Sequence, residues 1–334
     1  MRVEDLGEFG LIARLTAGLR ASPPDVVVGI GDDAAAVRPS PGKLLLATCD
    51  CQVEGAHFVL AAAHPGLLGR KSLAVNLSDI AAMGGLPRFA LVSLGIPPGT
   101  SAALLDELYQ GLVGLAAEFG VAVVGGNVSR ASVLFIDVTL LGEVEPERIV
   151  RRQRARPGDK LLVTGFPGRA AAGLALALGR SAMLPSSTVE VLLQAWEDPS
   201  PRVGEGRIIS ASGHCTAMID VSDGLAADLG HLCEASRVGA TVWASQLPIA
   251  GELAAYADAA GADPLGLALH GGEDYELLFT VSPPAAREVA EAVEVATGTP
   301  VALVGEVEPA EAGLSLAMPD GKLRPLIPRG FQHL

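Results

Sequence analysis

Aromatic residues are scarce in this chain of 334 residues: two Trp, three Tyr and eight Phe make up 4% of it. Basic residues are few as well, 24 Lys and Arg against 38 Asp and Glu, for a formal net charge of −14. A field of that sign repels nucleic acid and anionic membrane unless a local basic patch intervenes. The densest basic stretch, Arg148 to Arg156, has no aromatic interleaved with it, which disfavours nucleic-acid binding. Only four Cys are present, at 49, 51, 215 and 233, too few for a disulfide scaffold and without the paired spacing of a structural zinc site. Reduced, mostly buried thiols are expected. None of the six His forms a His-x-x-x-His pair, so any metal should be held by oxygen.

Long apolar runs are missing too. Ala170 to Gly179 is too short to span a bilayer, and Phe89 to Leu105 is broken by Pro97-Pro98. The N-terminus is acidic and lacks a basic segment followed by an apolar one, so no signal peptide is expected. These features read as a soluble, cytoplasmic protein with no membrane association.

What is present is a globular profile, 49% hydrophobic with 40 Gly and 23 Pro, long enough for about two domains. Strands are predicted over 26–28, 44–47, 89–95, 121–124 and 134–143, with helices over 9–15, 67–83 and 101–119. The polar, Arg-rich stretch 145–159, with Pro146 and Pro157, is the best linker, which places a boundary near residue 150. Beyond it the alternation resumes: strands over 160–164, 217–219 and 273–281, helices over 170–178, 225–235 and 284–297. The expected fold class is therefore α/β, in two domains covering 1–150 and 151–334.

Acids recur where apolar strands give way to turns: Asp32-Asp33, Asp50, Asp220 and Asp223. Any one of them alone reads equally as a turn former or helix cap. Five together are carboxylates that repel one another, an arrangement cations relieve, and hard oxygen ligands suit Mg²⁺. Asp79 adds to the set from within the 67–83 helix, three residues after Asn76 and on its face. Two nucleotide motifs fail. In the segment Gly66 to Ser72, Arg70 separates Gly69 from Lys71 where a phosphate-binding loop needs them adjacent. After Gly29-Ile30-Gly31, the Asp32-Asp33 pair would set two negative charges where a pyrophosphate should meet bare amides. In Gly271-Gly272-Glu273-Asp274-Tyr275-Glu276-Leu277-Leu278-Phe279, strand alternation predicts Glu273, Tyr275, Leu277 and Phe279 on one face.

Taken together and in order, several strings resemble the thiamine-monophosphate kinase family over nearly the whole chain. They are Gly29-Ile30-Gly31-Asp32-Asp33, Asp50-x-x-Val53-Glu54-Gly55-x-His57-Phe58, Lys71 to Asp79, Gly125-Gly126-Asn127, Asp220-Val221-Ser222-Asp223-Gly224-Leu225 and Gly271 to Leu277. That family lies in a superfamily with aminoimidazole ribonucleotide synthetase. The resemblance implies a two-domain fold of that kind: an N-terminal ATP- and Mg-binding α/β domain that dimerises through its sheet, and a C-terminal α/β domain that completes the active site. It implies ATP-dependent phosphorylation of thiamine monophosphate to thiamine diphosphate by a phosphotransferase with a phosphate acceptor, using several Mg²⁺ ions and leaving room for K⁺. Carried over by position, Asp33, Thr48, Cys49, Asp50, Asp79, Asn127, Asp220 and Asp223 are metal ligands or their immediate neighbours. Gly126, Asn127, Arg152 and Ser222 are nucleotide-contacting, and His57, Glu273 and Phe331 hold the thiamine moiety.

The acceptor is a phosphate monoester, already largely anionic at neutral pH, so the obstacle to transfer is charge repulsion and no general base is assigned. The expected route is direct in-line transfer. Two positions depart from the family pattern: Asn127 stands where the family usually carries Asp, and Cys49 where it usually carries Thr. The rivals are another ATP-using member of the superfamily, such as aminoimidazole ribonucleotide synthetase, and a catalytically dead nucleotide-binding dimer.

Overall fold

Apolar residues at every second position of 135–144 leave Ile136, Val138 and Leu140 on one face of a strand and Asp137, Thr139 and Leu141 on the other. In the computed structural model, which describes residues 1–19, 23–180 and 183–330, this strand is the second of a four-stranded sheet. The sheet order is β3 (Leu44–Val53), β6 (Phe135–Val144), β4 (Leu86–Ile96), β5 (Ala122–Arg130), with β4 and β5 parallel and the other pairs antiparallel. Its buried face carries helix α2 (Pro65–Ala82), which packs on α3 (Ala102–Glu118). Helix α3 starts at Ser101, whose hydroxyl accepts the Ala103 N–H, and presents Leu105, Leu108, Leu112 and Leu115 at helical spacing. Each of these leucines contributes about 1.5–3 kcal/mol by burial. Helix α1 (Val3–Thr16) leans on α3 through Leu11, Leu15 and the Arg14–Asp106 ion pair, and β1 (Val26–Val28) pairs with β2 (Ala36–Val37).

The glycines of the rejected phosphate-loop string serve helix packing. A Cβ on Gly69 would lie 1.8 Å from the Leu108 carbonyl oxygen, and one on Gly111 would lie 1.8 Å from that of Gly66. Both glycines of the string sit inside α2, where bare backbone lets α3 approach.

The second unit is built on a seven-stranded sheet in the order β13 (Leu323–Pro325), β12 (Leu314–Ala317), β9 (Gly239–Trp243), β11 (Val301–Glu308), β7 (Lys160–Thr164), β10 (Glu276–Val281), β8 (Cys215–Val221). Only β12 and β9 pair in parallel. Strand β10 is buried along its whole length, as a central strand covered on both faces must be. Its helices are α4 (Arg169–Ala177), α5 (Ser186–Glu197), α6 (Val203–Ala211), α7 (Leu225–Ser236), α8 (Gly251–Ala260), α9 (Pro264–His270) and α10 (Ala286–Thr297). Helix α7 packs on β8, and its Leu229 and Leu232 join Val163, Ile219, Val242 and Leu278 in the main core.

The chain divides into one unit of 1–80 and 86–146 and another of 81–85 and 147–334. The fold class is the expected α/β. Among the described residues no helix is long and apolar enough to cross a membrane.

Five expectations need correction. Strand β3 does not stop at Ala47, so Thr48, Cys49 and Asp50 lie within it, and β5 runs through Gly125-Gly126-Asn127 to Arg130. Asp220 likewise lies inside β8. Strand β10 begins at Glu276, three residues later than predicted, because Glu273 and Tyr275 hold φ of 64° and 51°, outside any strand conformation. The thiols are not mostly buried: all four are free, Cys49 exposed, Cys51 and Cys215 half-buried and Cys233 alone buried.

Candidate active site

In the first unit, sheet register decides which candidate side chains share a face. Thr48 and Asp50 pair with Leu140 and Val138 and lie on the face that α2 covers. There the Thr48 hydroxyl donates to an Asp79 carboxylate oxygen. One turn earlier on α2, the Asn76 side-chain oxygen accepts the Asp50 backbone N–H at 3.0 Å, while its amide donates to the Ser72 carbonyl at 3.1 Å. Asn76 is buried, so this pair of bonds fixes Asp50 against the helix. Cys49 points to the opposite face, where its Sγ donates to Asp137 Oδ1 at 3.2 Å and accepts from the Thr139 hydroxyl at 3.5 Å. Asn127 sits in that other face's row, level with Ser93, Asp137 and Cys51. Gly126 precedes it with a φ of 158°, and a Cβ there would lie 1.9 Å from the Val92 carbonyl oxygen. His57 closes a tight turn: its N–H donates to the Val53 carbonyl at 2.9 Å and its Nδ1 accepts the Val53 N–H at 3.1 Å. Asp33 is exposed between β1 and β2, its N–H donating to the neighbouring Asp32 carboxylate at 2.8 Å.

In the second unit, two loops are laced together by backbone. The Glu273 N–H donates to the Ser222 carbonyl at 2.7 Å and the Tyr275 N–H to that of Val221 at 2.8 Å. A Cβ on Gly272 would lie 2.7 Å from the Ser222 oxygen, so only glycine permits the approach. Ser222, Asp223 and Glu273 are thereby neighbours, with buried Asp220 at the end of β8 beneath them. Gly330 also belongs here, since a Cβ on it would meet the Asp223 carbonyl oxygen at 2.9 Å. Phe331 follows and lies outside the described residues. Arg152 is elsewhere: its carbonyl accepts from Ser236 at the far end of α7, and its side chain is exposed.

Residues 31–144 match the family described as AIR synthase related protein, N-terminal domain, and residues 156–315 match its C-terminal domain. A curated thiamine-monophosphate kinase of Escherichia coli strain K12 is 36% identical over 98% of this chain and 98% of its own length. The crystal structure of the thiamine-monophosphate kinase from Stenotrophomonas maltophilia K279a superposes with a TM-score of 0.82 at 35% identity, over 95% of this chain and 98% of that one. AaThiL complexed with AMPPCP and TMP superposes at 0.78 and 35% identity, over 100% and 99%. The chain belongs to the thiamine-monophosphate kinase family.

This family member carries two residues that the motif strings pass over. Asp228, in the first turn of α7, accepts the N–H groups of Ser222, Asp223 and Gly224 on one oxygen, each at 3.1 Å. The one sequence signal for it is general: an acid in the first turn of a helix, where the helix N-terminus favours negative charge. Trp196, at the end of α5, donates its indole N–H to Glu273 Oε2 at 2.8 Å. No local spacing announces that contact, 77 residues away in sequence.

Among the described residues no three His, Cys, Asp or Glu side chains form a set that holds a metal ion. The donor chemistry nevertheless fits Mg²⁺. Thr48 and Asp79 offer paired oxygens, and burial together with the charges of Asp220 and Asp223 pushes Asp228 up to about 7. Repulsion of that kind is what a divalent cation relieves. A cavity of about 600 Å³ in the second unit, lined by Trp243, Gln246, Leu303 and Met318, contains none of these residues.

Proposed function

We propose that this chain transfers the γ-phosphoryl group of ATP to thiamine monophosphate, giving thiamine diphosphate and ADP. The observation that carries the reading is the lacing of the Ser222 and Glu273 loops, which makes neighbours of the residue assigned here to the nucleotide and the one assigned to the thiamine moiety. The AaThiL complex, with an ATP analogue and TMP in one structure, supports it.

An oxygen of the substrate's phosphate bonds to the γ-phosphorus in line as the bond to the ADP oxygen breaks. The attacking oxygen is already anionic, so no side chain need accept a proton. Asp33, Thr48, Asp50, Asp79 and Asn127 in the first unit, with the Cys49 backbone, and Asp220 and Asp223 in the second are the positions proposed to hold Mg²⁺. When bound, Mg²⁺ supplies charge screening and alignment of the phosphates. Asn76 sets the backbone of Asp50, and Asp228 sets the Ser222–Gly224 turn. Gly126, Asn127, Arg152 and Ser222 are assigned to the nucleotide, and His57, Glu273 and Phe331 to the thiamine moiety.

A homodimer is proposed through the sheet face opposite α2. There Leu45 and Ala47 are exposed and Leu91, Thr139 and Leu141 are only half-buried. A cytoplasmic location belongs to the same proposal, which leaves room for K⁺.

The test is formation of thiamine diphosphate from ATP and thiamine monophosphate, with and without Mg²⁺, alongside Asp50→Ala. Mg²⁺-dependent product that falls on the order of 100-fold in the variant is expected. ATP binding with no product would return the reading to a dead-site dimer or a rival substrate, and an isolable phosphoenzyme would overturn direct transfer.

A further inference from the structure

Glu273 is a half-buried carboxylate whose backbone is held from several sides. Its N–H is bonded to Ser222, its φ is 64°, and the next residue, Asp274, caps α4 by accepting the N–H groups of Gly168 at 2.7 Å and Ala170 at 3.2 Å. A left-handed non-glycine residue costs about 1 kcal/mol, so this conformation persists because its surroundings impose it. With the backbone fixed, the direction of the carboxylate depends on its side-chain torsions, and the indole N–H of Trp196 takes one of its two oxygens at 2.8 Å.

The indole is itself immobilised. Trp196 is buried in the last turn of α5, where Gly173 of α4 makes room for it: a Cβ on Gly173 would lie 2.0 Å from the Leu192 carbonyl oxygen and 3.0 Å from the Trp196 Cβ. A neutral donor of this kind orients a carboxylate without cancelling its charge, whereas an Arg or Lys in the same place would compete with a cationic ligand.

We infer that Trp196 is a positioning residue for Glu273: its N–H fixes the carboxylate that meets the thiamine moiety, and it governs affinity for that substrate more than the transfer step. The inference rests on Glu273 contacting the substrate.

Trp196→Phe keeps a buried ring and removes only the donor. The expected result is a three- to tenfold rise in KM for thiamine monophosphate, with kcat and the KM for ATP within twofold of the parent. Because both changes act on one contact, Trp196→Phe added to Glu273→Ala should cause no further rise. An unchanged KM in Trp196→Phe, beside a raised one in Glu273→Ala, overturns the inference and leaves the substrate role of Glu273 standing. An unchanged KM in Glu273→Ala removes that role and the inference with it. Should Trp196→Phe fail to fold, Trp243→Phe leaves Trp196 as the only tryptophan. Its emission should then shift on saturation with thiamine monophosphate and not with ATP alone, and an unmoved emission overturns the proposal.

Discussion

Asp228 has three backbone donors on a single oxygen in a buried first turn, so its removal strands three N–H groups at once. Asp228→Ala is expected to lower stability by about 2–4 kcal/mol, read as a fall in the urea midpoint at unchanged slope. Asp228→Asn retains an acceptor oxygen and should recover most of that loss; if both variants melt alike, the charge and not the hydrogen bonding holds the turn. The two departures from the family pattern also take on meaning at this scale. Cys49 turns its thiol to Asp137 and Thr139, away from Asp79, so the position offers the Thr48–Asp79 side of the strand nothing but backbone. Asn127 keeps an oxygen donor while losing the charge, and its amide donates to Ser129 at 3.2 Å.

At the level of elements, the α2–α3 contact is made by glycine backbone, and its cost structure is testable. Gly69→Ala drives a methyl group to 1.8 Å from the Leu108 carbonyl oxygen, so the helices must part, at about 2 kcal/mol or more. Gly114→Ala, on the exposed side of α3 with nothing within 4 Å, should stabilise by about 0.5–1 kcal/mol through helix propensity alone. Urea denaturation of the two variants should move in opposite directions, and a neutral Gly69→Ala would mean that α2 and α3 are not packed this closely. Element boundaries were legible where periodicity was strong: α3, α7 and β7 begin and end within a residue or two of expectation. They were not legible for α8 and α9, which are ten and seven residues long, nor for β12 and β13, which are too short for alternation to register.

For the whole molecule, the consequential feature is an uneven sheet. One face of the first unit's sheet is sealed by α2, while the other exposes Leu45 and Ala47 on the edge strand β3. An apolar edge of that kind is a liability in a lone monomer. Leu45→Asp is therefore expected to convert a two-chain particle into single chains in sedimentation velocity, at unchanged secondary structure by circular dichroism. A parent that already sediments as one chain would sink the dimer. The division into units also has a feature that linear reading misses. Residues 81–85 group with the second unit, where Arg207 donates to the Gly84 carbonyl at 2.8 Å and the Val150 N–H to that of Met83 at 3.2 Å.

The sequence by itself determined the α/β class and the family, because strand and helix periodicities and strings such as Asp-x-Ser-Asp-Gly are local and survive without coordinates. It also placed Asp79 on the face of α2 that carries Asn76, since helical spacing alone decides that. Tertiary structure decided the rest. The partners of a residue depend on register and packing, which no local pattern encodes. Register turned Cys49 and Thr48 to opposite faces of β3, and backbone lacing brought Glu273 to Ser222 at positive φ where alternation predicts a strand. Packing of α5 on α4 delivered Trp196 to Glu273 across 77 residues of chain.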